Sequence, residues 1–186
     1  GDGEHVFRLG HQFAHLGGFG VMLIDTPSPE NRIRVGGDGE PVIEYRLSEA
    51  DKGRFGAAVA EGVRVMFRAG AKQVILPTAE DVLGVGRRSL RQGAVLTRIE
   101  QAALVEKNLR FIPGETVVTS AHLQGSAKMG SNPANSVVSP ELRVWGCANV
   151  WVMDSSVFPT SIGANPMQSV YTLAKVFADR WEQAGR

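Results

Sequence analysis

The sequence has a single cysteine, Cys147, so no disulfide bond can form within the chain. We expect its thiol to be a small buried apolar group. No run of about 18 apolar residues occurs, and the sequence therefore does not predict a membrane span. Basic and acidic residues nearly balance, with a formal net charge of +1. That balance gives no electrostatic case for binding nucleic acid or an acidic membrane surface.

A phosphate-binding glycine motif is also missing. The stretch GGFGVMLID, residues 17–25, has three glycines, but they precede an apolar run that predicts a strand. A dinucleotide-binding fingerprint needs its glycines after a strand and before a helix. If the protein uses a dinucleotide, we expect the site for its adenine half to lie outside this chain. The chain starts GDGEHVFRLG, without an initiator methionine or a visible signal peptide, which suggests a cut or engineered boundary. The sequence does not determine the cellular compartment, and it slightly favours a soluble, cytoplasmic protein.

What is present is ordinary for a soluble globular protein: 43% of the 186 residues are hydrophobic and 21% are charged. Periodicity and turn residues predict helices over 49–69, 89–107 and 166–183, and strands over 19–25, 32–35, 42–47, 72–77 and 149–154. The strands at 32–35 and 42–47 flank the turn GGDGEP and predict a hairpin. The fold class expected is α+β, an antiparallel-sheet domain with flanking helices followed by a C-terminal strand–loop–helix.

His122 is the first candidate functional residue. It stands in SAHLQGSAKMGSNP, residues 120–133, where small side chains leave room for a large planar group to approach the backbone. Histidine titrates near neutrality and can act as a general base. A single histidine is also often structural, and that alternative stays open.

The second candidate region is MDSSVFPTSIGANPMQS, residues 153–169. Asn165 followed by Pro166 is typical of a helix start, and a capping role alone would explain the pair. A helix start also offers free N–H groups and a partial positive charge to an anionic ligand, and Gly163 would allow close approach. Asp154 ends an apolar run, either as a turn-capping carboxylate or as a group facing a cofactor crevice.

A cluster of histidines and a cluster of arginines are both expected to have no specific binding role. His11 and His15 are four residues apart, with His5 nearby, but no cysteine or carboxylate lies at a matching spacing. We therefore expect no metal site. A loose basic cluster is expected to be a solvated face: Arg87, Arg88, Arg91 and Arg98.

The last third of the chain resembles the C-terminal part of the glucose–methanol–choline (GMC) flavin oxidoreductases. The family pattern runs His, Gly-Thr, Met-Gly, Ser-Val-Val, Arg-Val, Gly, then Asn-x-x-Val-x-Asp-Ala-Ser-x-Phe-Pro and Gly-x-Asn-Pro before a helix. This chain reads HLQGSAKMG, NSVV, RVWG and NVWVMDSSVFPTSIGANP in the same order, over roughly residues 120–180. The SAH that leads into the first motif looks most like the long-chain alcohol oxidase branch. Ser126, Ser155 and Ser139 replace the usual Thr, the usual Ala and a common Asp.

The resemblance implies an FAD-dependent enzyme that oxidises an alcohol by hydride transfer to flavin N5. His122 would be the catalytic base, and Asn165 would hydrogen-bond the same substrate oxygen. Asn165, Pro166 and Met167 would lie at the flavin's pyrimidine edge, with Asp154 and Ser155 near its ribityl or phosphate portion.

The resemblance also implies a division of the chain. Residues 1–130 would form the substrate domain, which resembles the family only loosely up to residue 119. Residues 131–186 would return to the FAD-binding domain, whose N-terminal Rossmann-type half, absent from this chain, would be the partner. The substrate would be a small-molecule alcohol. The alternatives are a sugar or sterol oxidoreductase of the same superfamily, and a non-catalytic binding domain.

Overall fold

A computed structural model describes residue 7, residues 9–86 and residues 93–183. The principal elements in chain order are β1 (Arg32–Val35), β2 (Pro41–Glu44), α1 (Glu49–Arg68), β3 (Val74–Leu76), β4 (Ala94–Leu96), α2 (Ala102–Asn108) and α3 (Met167–Gln183), with short 3-10 helices at Phe13–His15, Ile99–Gln101 and Ser155–Val157. Both sheets are antiparallel pairs, β1 with β2 and β3 with β4. The α+β class predicted from the sequence is confirmed.

The chain divides into two compact units, and each unit is made of two separate stretches. The first unit holds Gly1–Leu23 and Ser48–Thr119, and the second holds Ile24–Leu47 and Ser120–Arg186. Compactness does not show which residues serve a substrate domain or an FAD-binding domain. The assignment of residues 1–130 and 131–186 to those two domains therefore stays a prediction. Among the described residues, no helix is long and apolar enough to cross a membrane.

The first unit is built around α1, which confirms the helix predicted over 49–69. Ser48 caps it, because its hydroxyl oxygen accepts a hydrogen bond from the Asp51 N–H at 3.0 Å. Gly56 is buried where α1 meets α2, and an added Cβ there would lie 3.4 Å from the Glu106 carbonyl. The absent side chain lets the two helices approach closely.

The helix predicted over 89–107 is wrong in its N-terminal part. Residues 87–92 lie outside the described residues, and with them Arg87, Arg88 and Arg91 of the predicted basic face. Residues 94–96 form β4, which pairs with β3 in the register Val74↔Leu96. Gly93 explains the local change, because its φ is +79° and an added Cβ would lie 2.6 Å from the Leu76 carbonyl. The helix α2 begins only at Ala102.

A buried carboxylate organises the loop after α2. Glu80 is 3% exposed. Its Oε2 accepts a hydrogen bond from the Arg110 N–H at 2.6 Å, and its Oε1 accepts one from the Ile112 N–H at 2.9 Å. The Thr116 hydroxyl also donates to Oε1. Phe111, between the two amides, has a φ of 55°, an unusual conformation for an aromatic residue. The carboxylate thus holds the backbone in place on both sides of Phe111.

The second unit begins with the predicted hairpin, which is confirmed. Its register places Ile33 opposite Ile43. On one face of the hairpin, Arg32 and Arg34 donate hydrogen bonds to the two carboxylate oxygens of Glu44, at 2.9 and 2.6 Å. The hydrogen bond from Arg34, followed by that from Arg32, holds the pKa of Glu44 below its usual range.

The core of the second unit lies between its irregular C-terminal segments and α3. The buried residues are Val138, Leu142 and Val157, and α3 packs Leu173 and Phe177 against them. The strand predicted over 149–154 is wrong, because only Trp151 forms a bridge, with Arg143, and Val150 and Met153 are exposed.

Two smaller predictions are also wrong. Residues 19–25 take no regular secondary structure and pair with none of the described strands, although their apolar run predicts a strand. Cys147 is exposed, because it follows the turn at Gly146 and does not enter the core.

Candidate active site

The two stretches singled out in the sequence lie against each other in the second unit. The extended segment after His122 donates hydrogen bonds from alternate residues to successive carbonyls of the 3-10 helix Ser155–Val157. The Gly125 N–H donates to the Ser155 carbonyl at 3.2 Å, the Ala127 N–H to Ser156 at 3.0 Å, and the Met129 N–H to Val157 at 2.8 Å. Part of the small-residue run is therefore explained by close packing within the chain. That the two stretches form one active site stays a prediction.

His122 lies just before this ladder and is half-buried. Its main-chain carbonyl accepts a hydrogen bond of 3.3 Å from the Gln124 side chain. Its imidazole makes no hydrogen bond with any other residue that the structure describes. An imidazole held in place through its backbone, with its ring nitrogens not engaged by the described residues, can accept a proton from a ligand.

Gln124 is a residue that sequence reasoning missed. Its side-chain oxygen accepts a hydrogen bond from the Ile162 N–H at 3.0 Å, while its side-chain nitrogen donates to His122. One amide group therefore connects the backbone of His122 with the loop that leads to Asn165. Nothing in a single sequence marks this glutamine, because the contact joins residues far apart in the chain.

Asn165 does not cap the C-terminal helix. The helix α3 begins at Met167, and the Pro166 carbonyl accepts its first hydrogen bond, from the Val170 N–H at 2.9 Å. Pro166 therefore occupies the N-cap position, one residue before the position expected. The Asn165 side chain is exposed and makes no hydrogen bond with the other described residues. The capping interpretation of Asn165 is wrong, and its side-chain amide is not committed to the helix.

Gly163 is required by the loop itself. Its φ is +70°, and an added Cβ would lie 2.5 Å from Cδ1 of Ile24. Both the backbone conformation and the packing therefore exclude larger residues. Close approach of a ligand, the reason considered from the sequence, is not needed to explain this glycine.

Asp154 and Ser155 are both engaged in local structure. Asp154 caps the 3-10 helix, since its Oδ1 accepts a hydrogen bond from the Ser156 N–H at 2.7 Å. The Ser155 hydroxyl donates its proton to the Leu123 carbonyl at 2.7 Å. Towards a ligand, Asp154 can thus accept hydrogen bonds from hydroxyl groups, while Ser155 retains only acceptor capacity.

A comparison with known protein families decides where the chain belongs. The C-terminal sequence profile of the family described as GMC oxidoreductase matches residues 27–174, well over half of the chain. The chain belongs to the GMC oxidoreductase family. The resemblance noted in the sequence is confirmed, and it extends through most of the first 119 residues as well.

The chain is also similar to individual alcohol and sterol oxidases. The chain is 31% identical over 169 residues to the long-chain-alcohol oxidase FAO4A of Arabidopsis thaliana, covering 90% of this chain and 20% of that protein. It is 26% identical over 142 residues to FAO3 of the same plant, covering 74% of this chain and 18% of that protein. A cholesterol oxidase of Mycobacterium tuberculosis is 32% identical over 66 residues, which cover 36% of this chain and 11% of that protein. The chain spans about a fifth of the length of the plant relatives it matches.

GMC oxidoreductases are generally flavoproteins, and the start of α3 is chemically compatible with a ring that gains negative charge. This helix has 17 residues and no acidic side chain in its first turn. Its first N–H groups are not capped by a side chain of any described residue. They present the positive end of the helix dipole beside the exposed Asn165 and Met167. The Asp154 carboxylate can accept further hydrogen bonds, which suits the hydroxyl groups of a ribityl chain. Its negative charge would repel a phosphate.

The histidines near the start of the chain form no metal site within the described residues. No group of three or more His, Cys, Asp or Glu side chains there could hold an ion. His11 packs its ring edge to face against Phe7, with centroids 4.4 Å apart. His15 ends a short 3-10 helix and is exposed. His5 lies outside the described residues.

Proposed function

We propose that this chain is the C-terminal catalytic part of an FAD-dependent enzyme that oxidises the CH–OH group of an alcohol. The observation that carries the proposal is the hydrogen-bonded junction between the segment of His122 and the segment of Asn165. Family membership supports the reaction class, and the match to plant long-chain-alcohol oxidases favours an alcohol as the substrate.

His122 is the base in this proposal. Bound FAD supplies the hydride acceptor, at N5 of its ring. The alcohol O–H bond breaks as its proton passes to the imidazole, and the carbon gives up its hydride, so that an aldehyde or ketone is formed. The imidazole suits this task because it makes no hydrogen bond with the described residues, and because its backbone is held through Gln124.

Asn165 and the start of α3 have the supporting roles. The Asn165 side chain donates a hydrogen bond to the same substrate oxygen and orients the alcohol. Pro166 and Met167 line the edge of the cofactor ring, where the helix N–H groups stabilise negative charge. Asp154 accepts hydrogen bonds from ribityl hydroxyl groups, and Ser155 lies beside the same part of the cofactor.

The remaining part of the cofactor needs residues beyond this chain. No strand–glycine–helix unit for an adenine dinucleotide occurs in residues 1–186. The partner proposed is therefore an N-terminal FAD-binding half of the same protein, and residues 131–186 would complete that domain. A sterol oxidoreductase is the second candidate, favoured by the match to the cholesterol oxidase.

Anaerobic mixing of the full-length protein with an alcohol, followed by flavin absorbance, tests the proposed function. We expect purified protein to carry flavin, and a long-chain primary alcohol to bleach its visible absorbance in the absence of oxygen. His122→Ala should retain flavin but reduce it about 10²- to 10⁴-fold more slowly, the usual span for a positioned acid–base group. The matched control is His15→Ala, which changes an exposed histidine of the first unit. Faster bleaching by a sterol would favour the second candidate.

Two results would contradict the proposal. A full-length protein without flavin absorbance would favour a non-catalytic binding domain. Parental bleaching rates in His122→Ala would remove this residue from the role of base.

A further inference from the structure

The Gln124 side chain uses both ends of its amide. Its oxygen accepts a hydrogen bond from the Ile162 N–H at 3.0 Å, and its nitrogen donates to the His122 carbonyl at 3.3 Å. The side chain is half-buried, which reduces competition from water for both bonds.

The loop that receives this contact has few other restraints. Within residues 159–165, which the structure describes in full, the Ile162 amide is the only main-chain group that hydrogen-bonds to another described residue. The packing of Gly163 against Ile24 restrains the loop as well. The position of this loop therefore depends strongly on one side chain.

The two ends of the contact lie close in sequence to the two proposed catalytic groups. Gln124 is two residues from His122, and Ile162 is three residues from Asn165. Three residues of chain extend at most about 10 Å, so the position of Ile162 limits where Asn165 can lie. Displacement of a reacting group by about 1 Å can lower a rate about 10²-fold.

We propose that Gln124 is a positioning residue that sets the distance between His122 and Asn165. The proposal rests on the proposed function, since it assigns Gln124 to the same reaction. Gln124 itself transfers no proton in the proposed reaction. It acts through the backbone of His122 and through the loop of Asn165.

Two substitutions separate the two ends of the amide. Gln124→Met has a similar shape but removes both hydrogen bonds. Gln124→Glu retains an acceptor for the Ile162 N–H, loses the donor to His122 and adds one negative charge. The control is Gln73→Met, which changes an exposed glutamine of the first unit.

The test measures three quantities in the full-length protein: hydrogen exchange at the Ile162 amide, flavin content with melting temperature, and the rate of alcohol-driven flavin reduction. In Gln124→Met we expect faster exchange at Ile162, parental flavin content, a slightly lower melting temperature because two hydrogen bonds are lost, and reduction roughly 10- to 100-fold slower. The pH midpoint of reduction should stay at its parental value, because no titrating group is lost. Gln124→Glu should retain slow exchange at Ile162 and recover most of the lost rate at its own optimal pH.

Several results would overturn the positioning role. Unchanged exchange at Ile162 in Gln124→Met would mean that the bond does not restrain the loop. Parental reduction despite faster exchange would mean that the restraint does not serve catalysis. A slower rate accompanied by loss of flavin would mean a structural role only. His122→Ala, measured in parallel, reports separately on the proposed function, since parental reduction in that variant removes the base itself.

Discussion

The Ser155 hydroxyl donates a hydrogen bond of 2.7 Å to the main-chain carbonyl of Leu123, the residue that follows His122. The Gly125 N–H returns a hydrogen bond to the Ser155 carbonyl at 3.2 Å. The two bonds form a reciprocal link between the chain after His122 and the start of the 3-10 helix. In the family pattern an alanine is usual at this position, so this part of the link depends on the serine of this sequence.

Ser155→Ala should lower the free energy of unfolding by about 0.5–1 kcal/mol, near the low end for a lost hydrogen bond. The cost is small because Leu123 is exposed and water can replace the hydroxyl. Flavin content should not change, since the serine proton is already committed to Leu123. Denaturant unfolding and the visible flavin spectrum check the two expectations, with exposed Ser131→Ala as the control. Loss of flavin in Ser155→Ala would instead indicate direct contact with the cofactor.

Asn165→Asp should leave the melting temperature nearly unchanged, because the Asn165 side chain is exposed and caps nothing. It should nevertheless slow alcohol-driven flavin reduction by roughly 10²-fold or more, the usual cost of removing a donor from a reacting oxygen. The carboxylate accepts hydrogen bonds only, and it adds negative charge where negative charge must build up.

The measurements for Asn165→Asp are a melting curve and a rapid-mixing trace of flavin absorbance. The control is Asn149→Asp, which makes the same change at another exposed asparagine of the second unit. Parental reduction rates in Asn165→Asp would exclude a catalytic role for this side chain.

Glu80→Gln should lower the free energy of unfolding by about 2–4 kcal/mol, the range for a broken buried polar network. The carboxylate accepts bonds from the amides of Arg110 and Ile112 and from the Thr116 hydroxyl. A glutamine has one acceptor oxygen, and its NH₂ group would face a donor that has lost its partner. Urea unfolding should show the loss, while exposed Glu141→Gln should show none. A Glu80→Gln protein as stable as the parent would mean that the network contributes little.

Acid should weaken the β1–β2 hairpin. The folded-state pKa of Glu44 is lowered by Arg34 and Arg32, so this group stabilises the fold above its unfolded pKa. That contribution is lost as the pH falls below about 4.3, through the lower folded-state value. The effect is small because the ion pairs are exposed. Lower protection of the Arg34 and Val42 amides against hydrogen exchange in acid would report it, because this pair exchanges ladder hydrogen bonds, and Glu44→Gln should abolish the acid dependence. An identical acid response in the variant would assign it to other groups.

Local signals predicted the elements whose cause is local. The helix α1 follows from its apolar periodicity and from the Ser48 cap, and the hairpin follows from a glycine-rich turn between apolar strands. The C-terminal helix was predicted over 166–183 and is found at Met167–Gln183.

The wrong secondary-structure predictions have causes that lie far away in the sequence. β4 exists because residues 94–96 pair with β3, a contact that overrides the weak helical pattern of 89–107. Residues 19–25 and 149–154 have the composition of strands but no neighbouring strand to complete a ladder among the described residues.

The residues of the candidate site also differ in how far the sequence alone indicates them. Motif order indicated His122, Asn165 and Asp154 as candidates, because the chemistry of these residue types is visible in one sequence, and their roles stay predictions. Gln124 could not be predicted, because its importance comes from a hydrogen bond to a residue 38 positions away. The capping role considered for Asn165 failed because helix preferences locate a boundary only to within one or two residues.

The interleaving of the two compact units has a consequence for biosynthesis. The hairpin in Ile24–Leu47 belongs to a unit whose other stretch starts at Ser120, and the whole of residues 48–119 must be made before that stretch leaves the ribosome. At about 5–20 residues per second the hairpin waits several seconds for its partner. Its apolar residues Ile33, Val35 and Ile43 are exposed even in the folded structure. The nascent hairpin therefore presents an exposed apolar surface that a chaperone can bind before the rest of its unit is made.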